Sequence, residues 1–474
     1  MKFFINLLSL LLLINLSFYS VAKQPPNLLI IQTDEHNFRT ISAYRNLLPN
    51  AQGDIWGKGN NVDTPNIDRL AKEGAIAMNF YSSAPVCTPS RASFVTGLRP
   101  YATGAPSNGE HLSKNVKTFA HVLEENGYST SYVGKWHLAG HGKYLFDIKY
   151  KAGFTDNRYM MTGGHAPYFH IQKNGLKGIG AKQASKLPKN EIIHLTDYFT
   201  DKALEILERD KNKPFALMVS IPDPHTPDHA RPPYDKMYEH LKPIAPTSMS
   251  QKYSPYKPRW AKGGDKNDAK KFNPTPLIQY FGMVKHIDDN VGKLLSFLEK
   301  NNLAENTIVV FTADHGDMFF EHKRLNKSVP FEAAARIPFL IRYPNSIPAG
   351  KVIRKAYTTM DFAPTILDIM EVKNDVPFQG LNAGNDFSND KKLIEDSRVT
   401  YYEQGWVAAV DNRYKLILDV KEKPWLYDLQ NDPNEQVNQY NNPTYKTVVE
   451  RLKKSLFEEM KKNNEPSLEK TFQL

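Results

Sequence analysis

The 474-residue chain carries a single cysteine, Cys87. It can therefore form no intramolecular disulfide and no multi-thiolate zinc or iron–sulfur site. It has no internal repeat and, past its first 22 residues, no apolar run that reads as a membrane span. Nor is it poor in core-forming residues: 41% are apolar and 11% aromatic against 24% charged, which excludes a disordered or fibrous chain. Its length allows roughly two or three domains. Acidic residues are the scarcer charge, 51 against 61 Lys and Arg. A formal charge of +10 suits an anionic partner, whether nucleic acid, a membrane surface or a sulfated or carboxylated glycan.

The amino terminus narrows the compartment. Met1-Lys2 precedes an apolar run through Leu7, Leu8, Leu10 to Leu13, Ile14 and Phe18 that ends in the small residues Ser20-Val21-Ala22. Its length, its polar Asn6 and Asn15 and its small-residue end predict a secretory signal peptide over residues 1–22 rather than an anchor. The expected protein is secreted or periplasmic, with no stable membrane span after cleavage and no nucleic acid as partner.

Asn27 to Thr33 is an unbroken apolar run, as expected of a strand buried on both faces of a parallel sheet, and it stops at Asp34-Glu35-His36. The grammar recurs at Thr130 to Gly134 before Lys135-Trp136-His137, at Phe215 to Ile221 before Asp223-Pro224-His225, and at Thr307 to Thr312 before Asp314-His315-Gly316. Helical patterns lie between, such as Thr118 to Asn126 and Tyr280 to Asn301. This alternation predicts an α/β sheet covered by helices, with a site at the carboxyl edge of its strands. From Asp235 to Pro276 the pattern lapses into a basic, aromatic-bearing stretch read as a long surface loop. After about residue 385 come short β-like pieces and an amphipathic helix from Tyr445 to Lys462. The predicted division is a catalytic α/β domain over 23–385 and a smaller C-terminal α+β domain over 386–474.

Cys87-Thr88-Pro89-Ser90-Arg91, with Gly97 closing the turn that follows, resembles the signature of the type I, or family S1, sulfatases. Gly134-Lys135-Trp136-His137, Asp223-Pro224-His225-Thr226-Pro227 and the Lys327 to Glu332 segment are similar to that family's further motifs, in the same order. The resemblance implies an alkaline-phosphatase-like fold with a mixed, largely parallel sheet. It implies that Cys87 is converted by a formylglycine-generating enzyme to 3-oxoalanine (Cα-formylglycine), whose hydrate is the nucleophile. It also implies one calcium ion held by Asp34, Glu35, Asp314 and His315 together with the group at position 87. Glu35 departs from the pattern, since many relatives have Asp or Gln there.

Cleavage of a sulfate ester builds charge on the bridging oxygen, so cations are wanted around the other oxygens and an acid at the leaving one. Arg91, Lys135 and Lys327 supply the cations. His225, with Lys327, is the expected acid, and His137 the base that takes the second diol proton, a division of roles that comes from the family. The expected substrate is a sulfated glycan, an algal one such as ulvan or carrageenan being preferred. Arg231, Tyr234, Arg259, Trp260, Gln404 and Trp406 are the expected sugar-pocket residues, through stacking and charge pairing. Outside the signal peptide the one N-glycosylation sequon is Asn326-Lys327-Ser328, beside an expected sulfate contact, so the chain reads as bacterial. Two other readings stay open on the sequence: a formylglycine-dependent phosphodiesterase or phosphonate monoester hydrolase, and a non-catalytic anionic-glycan binding protein.

Overall fold

The computed structural model describes residues 24–140, 146, 148–173, 175–250, 258–262, 270–388, 398–402, 405–466 and 468. Residues 1–22 of the expected signal peptide and Gln404 lie outside the described residues. Among those described, no helix is long and apolar enough to cross a membrane.

The strands, in chain order, are β1 (Asn27–Thr33), β2 (Ala75–Tyr81), β3 (Ser129–Lys135), β4 (Asp156–Met161), β5 (Tyr168–Gln172), β6 (Gly175–Ile179), β7 (Ile192–His194), β8 (Phe215–Ile221), β9 (Thr307–Ala313), β10 (Arg336–Ile337), β11 (Phe339–Arg342), β12 (Lys351–Thr358), β13 (Arg398–Tyr402), β14 (Trp406–Val410), β15 (Tyr414–Asp419) and β16 (Glu422–Asp428). The main sheet runs β4-β3-β8-β1-β9-β11-β2-β10, with β12 also paired to β2. β4, β3, β8, β1 and β9 are mutually parallel, whereas β11 is antiparallel to both β9 and β2. The sheet is thus mixed and largely parallel, as expected. β5, β6 and β7 form a separate small antiparallel sheet.

All seven residues of β1 are buried, because both faces of the sheet are covered. Leu28 and Ile30 join one core with the helices Cys87–Thr96, Phe119–Glu125 and Phe362–Ile369. Leu29 and Ile31 join the other with Pro65–Lys72, Leu195–Asp210 and Pro274–Lys300. β2 was not anticipated: its Ala-rich AIAMNFY sequence carries a weaker strand signal than the Val, Ile and Leu runs of its neighbours.

The C-terminal unit is the antiparallel sheet β13-β14-β15-β16 with the helix Lys446–Lys462 on one face. Its other face packs Trp406, Ile417, Trp425 and Tyr427 against Val329 and Phe331 of the catalytic region. The expected loop over 235–276 is, in its described parts, not free of structure. Single helical turns occur at Thr247–Ser250 and Arg259–Ala261, and the helix expected from Tyr280 begins at Pro274.

Candidate active site

Parallel strands place their carboxyl ends along one edge, so Asp34 after β1, Lys135 and His137 at and after β3, His225 after β8, and Asp314 and His315 after β9 meet there. Six residues past the end of β2, Cys87 opens a buried ten-residue helix. Val86 gives that helix no side-chain cap, so its amino end faces the site with positive partial charge. Gly97 ends it in the left-handed conformation, φ 66°. Gly134, φ 98°, stands where a Cβ would lie 1.9 Å from the Ser220 carbonyl oxygen, so only glycine lets β3 deliver Lys135 this close to β8.

One ligand atom from each of Asp34, Cys87, Asp314 and His315 fits within 4.8 Å of the others, all four residues being buried. Cys87 Sγ lies 3.2 Å from His315 Nε2 and 3.7 Å from Asp34 Oδ1. His315 Nδ1 bonds the Gly316 carbonyl at 3.0 Å, which turns the Nε2 lone pair toward the cluster. The donor set, two carboxylates and an imidazole so oriented, fits a divalent cation.

Cations surround this group. Arg91 is 2% exposed: its Nε donates to Asp314 Oδ2 at 2.8 Å, and one terminal nitrogen donates to Gln32 Oε1, the Lys135 carbonyl and Ser220 Oγ. Lys135 Nζ donates to Asp34 Oδ2 and lies 3.8 Å from Cys87 Sγ. Burial works to raise the Asp34 carboxyl, as does Cys87, yet Lys135, His225 and Arg91 hold it below the ordinary carboxylate range. Burial likewise opposes ionisation of Cys87, but Lys135, Lys327 and His315 bring the thiol well below its usual value.

Glu35 stands apart from the four. Its φ of 59° is left-handed, a conformation held by its amide donating to Asp314 Oδ1 at 3.1 Å and its carbonyl accepting from the Tyr280 hydroxyl at 2.7 Å. Its Oε2 lies 2.9 Å from both Lys327 Nζ and His225 Nε2, which are themselves 2.6 Å apart, so one carboxylate bridges two bases. Glu35 Oε1 is buried with no hydrogen-bond partner. Burial works to lower His225, but Glu35 and Asp34 push it up to about 10 against Lys327. His225 Nδ1 donates to the Thr226 carbonyl at 2.7 Å.

His137 is half-buried at φ 58°; its carbonyl accepts from Thr88 Oγ1 at 3.0 Å, which holds it beside the residue that follows Cys87. A residue not anticipated, His165, lies with its ring 4.1 Å from that of His225 and 6.3 Å from that of His137. Burial, with Lys135 and His225 nearby, pushes it down to about 3, so it stays neutral. The signal was present, since Gly163-Gly164-His165 follows β4 as the other site residues follow their strands, but Asp156-Asn157-Arg158 makes β4 too polar to stand out.

The expected sugar-pocket residues are corrected in part. Trp260 and Trp406 are 6% and 2% exposed and serve the core between the two domains, Trp260 packing on Phe331 and Trp425, so neither ring face is open to a sugar. Arg259 is held by Asp419 at 2.8 Å. Arg231 pairs with Asp197 at 2.5 Å and covers the Tyr234 ring, whose hydroxyl donates to Asp289 at 2.8 Å. These polar groups are committed to contacts within the protein.

The sulfatase family model matches residues 26–372, and a model of the N-sulphoglucosamine sulphohydrolase C-terminal region matches 320–462. An N-acetylglucosamine-6-O-sulfatase of Bacteroides thetaiotaomicron is 29% identical, over 94% of this chain and 88% of that protein. An ulvan-active sulfatase of Formosa agariphila is 27% identical, over 83% of this chain and 75% of that one. A solved structure described as in complex with its substrate D-glucosamine-2-N,6-O-disulfate superposes with a TM-score of 0.74 at 23% identity, over 94% of this chain and 99% of that one. With the family model spanning most of its length and the family's motifs gathered at one sheet edge, the chain belongs to the sulfatases, hydrolases of sulfuric esters.

Proposed function

We propose that this protein is an exported bacterial sulfatase that removes sulfate from a sulfated polysaccharide or oligosaccharide, after Cys87 has been matured by a formylglycine-generating enzyme. The observation that carries this reading is the buried cluster of Asp34, Asp314 and His315 with Cys87, with Lys135 bonded to Asp34 and 3.8 Å from Cys87 Sγ, and Arg91 bonded to Asp314. Asp34, Asp314, His315 and the unpartnered Glu35 Oε1 would hold the calcium ion, which supplies positive charge to the sulfate oxygens. A hydrated aldehyde at position 87 would supply one hydroxyl as nucleophile toward sulfur and a second whose deprotonation re-forms the carbonyl as the C–O bond to sulfate breaks.

The chain's own side chains do the rest. Lys135, 3.8 Å from Cys87 Sγ, and Lys327, beside Glu35 and His225, hold the sulfate oxygens, while Arg91 is locked by four acceptors and steadies Asp314. His225, kept protonated by Glu35, gives its proton to the departing sugar oxygen. His137, held beside position 87 through the bond of its carbonyl to Thr88, takes the proton of the second hydroxyl. Neutral His165, between the two, offers a hydrogen bond to the leaving group without adding charge.

The test is sulfate release by the matured protein from 6-O-sulfated N-acetylglucosamine oligosaccharides and from ulvan and carrageenan oligosaccharides, beside a phosphodiester and a phosphonate monoester. Sulfate release from a glycan supports the reading and names the sugar. Faster turnover of the phosphorus esters replaces it with the phosphodiesterase reading, and tight glycan binding without release replaces it with a binding protein.

A further inference from the structure

Lys327 is presented on a backbone that is far from relaxed. It stands between Asn326 at φ 60° and Ser328 at φ 72°, two non-glycine residues in the left-handed region, a conformation that persists only where the surroundings impose it. Just upstream the Asn326 carbonyl accepts from the Met318 amide at 2.8 Å, and just downstream the Ser328 amide donates to the Pro85 carbonyl at 2.9 Å, two residues before Cys87.

A further downstream hold, at Pro330 and Glu332, comes from the C-terminal domain. Lys415 of β15 donates through Nζ to the Pro330 carbonyl at 2.8 Å, and pairs with Glu332 at 2.5 Å and Glu435 at 3.0 Å. Glu435 Oε2 accepts from the Glu332 amide at 2.7 Å. Between these bonds Val329 and Phe331 insert into the interdomain core. Lys415, Glu332 and Glu435 are each at most 2% exposed. A buried ionic group of this kind is weak evidence for stability, because apolar residues of the same volume hold a core as well; what it fixes is geometry. Here the bonds end on main-chain atoms three and five positions past Lys327.

We propose that Lys415 and Glu435 are positioning residues that act through Lys327, so that the C-terminal domain sets where this ammonium stands against Glu35 and the substrate. The inference rests on the reading of Lys327 as a substrate contact. A lysine side chain has many rotamers, so the position of Nζ depends on how firmly its own backbone is held.

The experiment is a double-mutant cycle on the matured protein with 4-nitrophenyl sulfate, combining Glu435→Ala with Lys327→Ala, each variant checked by thermal unfolding. Displacing Lys327 by about 1 Å should lower kcat by about tenfold or more in Glu435→Ala. Glu435→Gln, whose amide carbonyl still accepts from the Glu332 amide, should stay within about threefold of the parent. On the Lys327→Ala background the Glu435→Ala change should cost less than about twofold, because the group it positions is already gone. A folded Glu435→Ala with the parent's kcat, or the same loss repeated on Lys327→Ala, overturns the proposal. Should Glu435→Ala fail to fold, Glu435→Asp, which keeps the charge but withdraws the carboxylate from the Glu332 amide, carries the same cycle. A matured parent that cleaves neither 4-nitrophenyl sulfate nor any of the sulfated glycans instead overturns the sulfatase reading, and the inference with it.

Discussion

Glu35 and Lys327 are 292 positions apart in sequence and 2.9 Å apart in the structure, and the same Glu35 oxygen reaches His225. One carboxylate oxygen thus ties His225, proposed as the acid, to Lys327, proposed as a sulfate contact, while the other oxygen has no hydrogen-bond partner. Glu35→Gln keeps the volume and removes the charge. Bound calcium, measured by atomic emission after dialysis, should fall, and kcat on a sulfated sugar should drop by roughly 10²-fold. Unchanged calcium and unchanged kcat would remove Glu35 from both roles.

Cys87 is buried among cations and acids, and its thiol is not the proposed nucleophile. Protein made in a host without a formylglycine-generating enzyme should fold, show unmodified Cys87 by peptide mass spectrometry and release no sulfate. Cys87→Ala should match it. Turnover by protein shown to carry an unmodified thiol would overturn the assignment.

His225 is assigned as the acid, so its loss should depend on the leaving group. His225→Ala should lose roughly 10²–10⁴-fold in kcat on a sugar sulfate, whose alkoxide needs a proton. On 4-nitrophenyl sulfate, whose phenolate leaves unaided, the loss should be much smaller. Equal losses on both would make His225 a binding group rather than an acid.

Gly134→Ala should destabilise the fold by at least ~2 kcal/mol, since a methyl would collide with the Ser220 carbonyl and φ is positive. Thermal unfolding measures it, and a midpoint equal to the parent's would refute the close approach of β3 and β8.

Asp197 supplies a test by pH away from the active centre. Burial works to raise its carboxyl, but hydrogen bonds from His286 and Arg231 bring it below its ordinary value. A depressed carboxylate stabilises the fold above the unfolded-state value of about 4, and that contribution is lost as pH falls through the folded-state value. The parent's thermal midpoint should therefore drop more steeply than that of Asp197→Asn between about pH 5 and pH 3. Parallel curves would show that the pair contributes nothing.

How much of this was written in the chain can be traced residue by residue. The limits of β1, β8 and β9 match their apolar runs within a residue, because strands buried on both faces must be apolar throughout and charge marks where burial changes character. The Cys87 segment was legible for a different reason: Cys87-Thr88-Pro89-Ser90-Arg91 is similar to the sulfatase signature, a match of consecutive residues that needs no knowledge of the fold. Other features depend on which distant segments meet, which no local pattern encodes. Trp260 and Trp406 read as sugar platforms until the packing of β14 and β16 against Phe331 closed over them. His165 gained meaning only through the register of β4 on β3, which brings its loop to His225. The hold of Lys415 and Glu435 on the Lys327 segment exists only once two domains are docked. Apolar runs along the chain suffice to mark the strand ends, and the resemblance to the sulfatase signature suffices to single out Cys87, because both are patterns of consecutive residues. Tertiary structure decided which charges neutralise one another and which aromatic faces remain exposed, because charge pairing and solvent access are properties of neighbours in space.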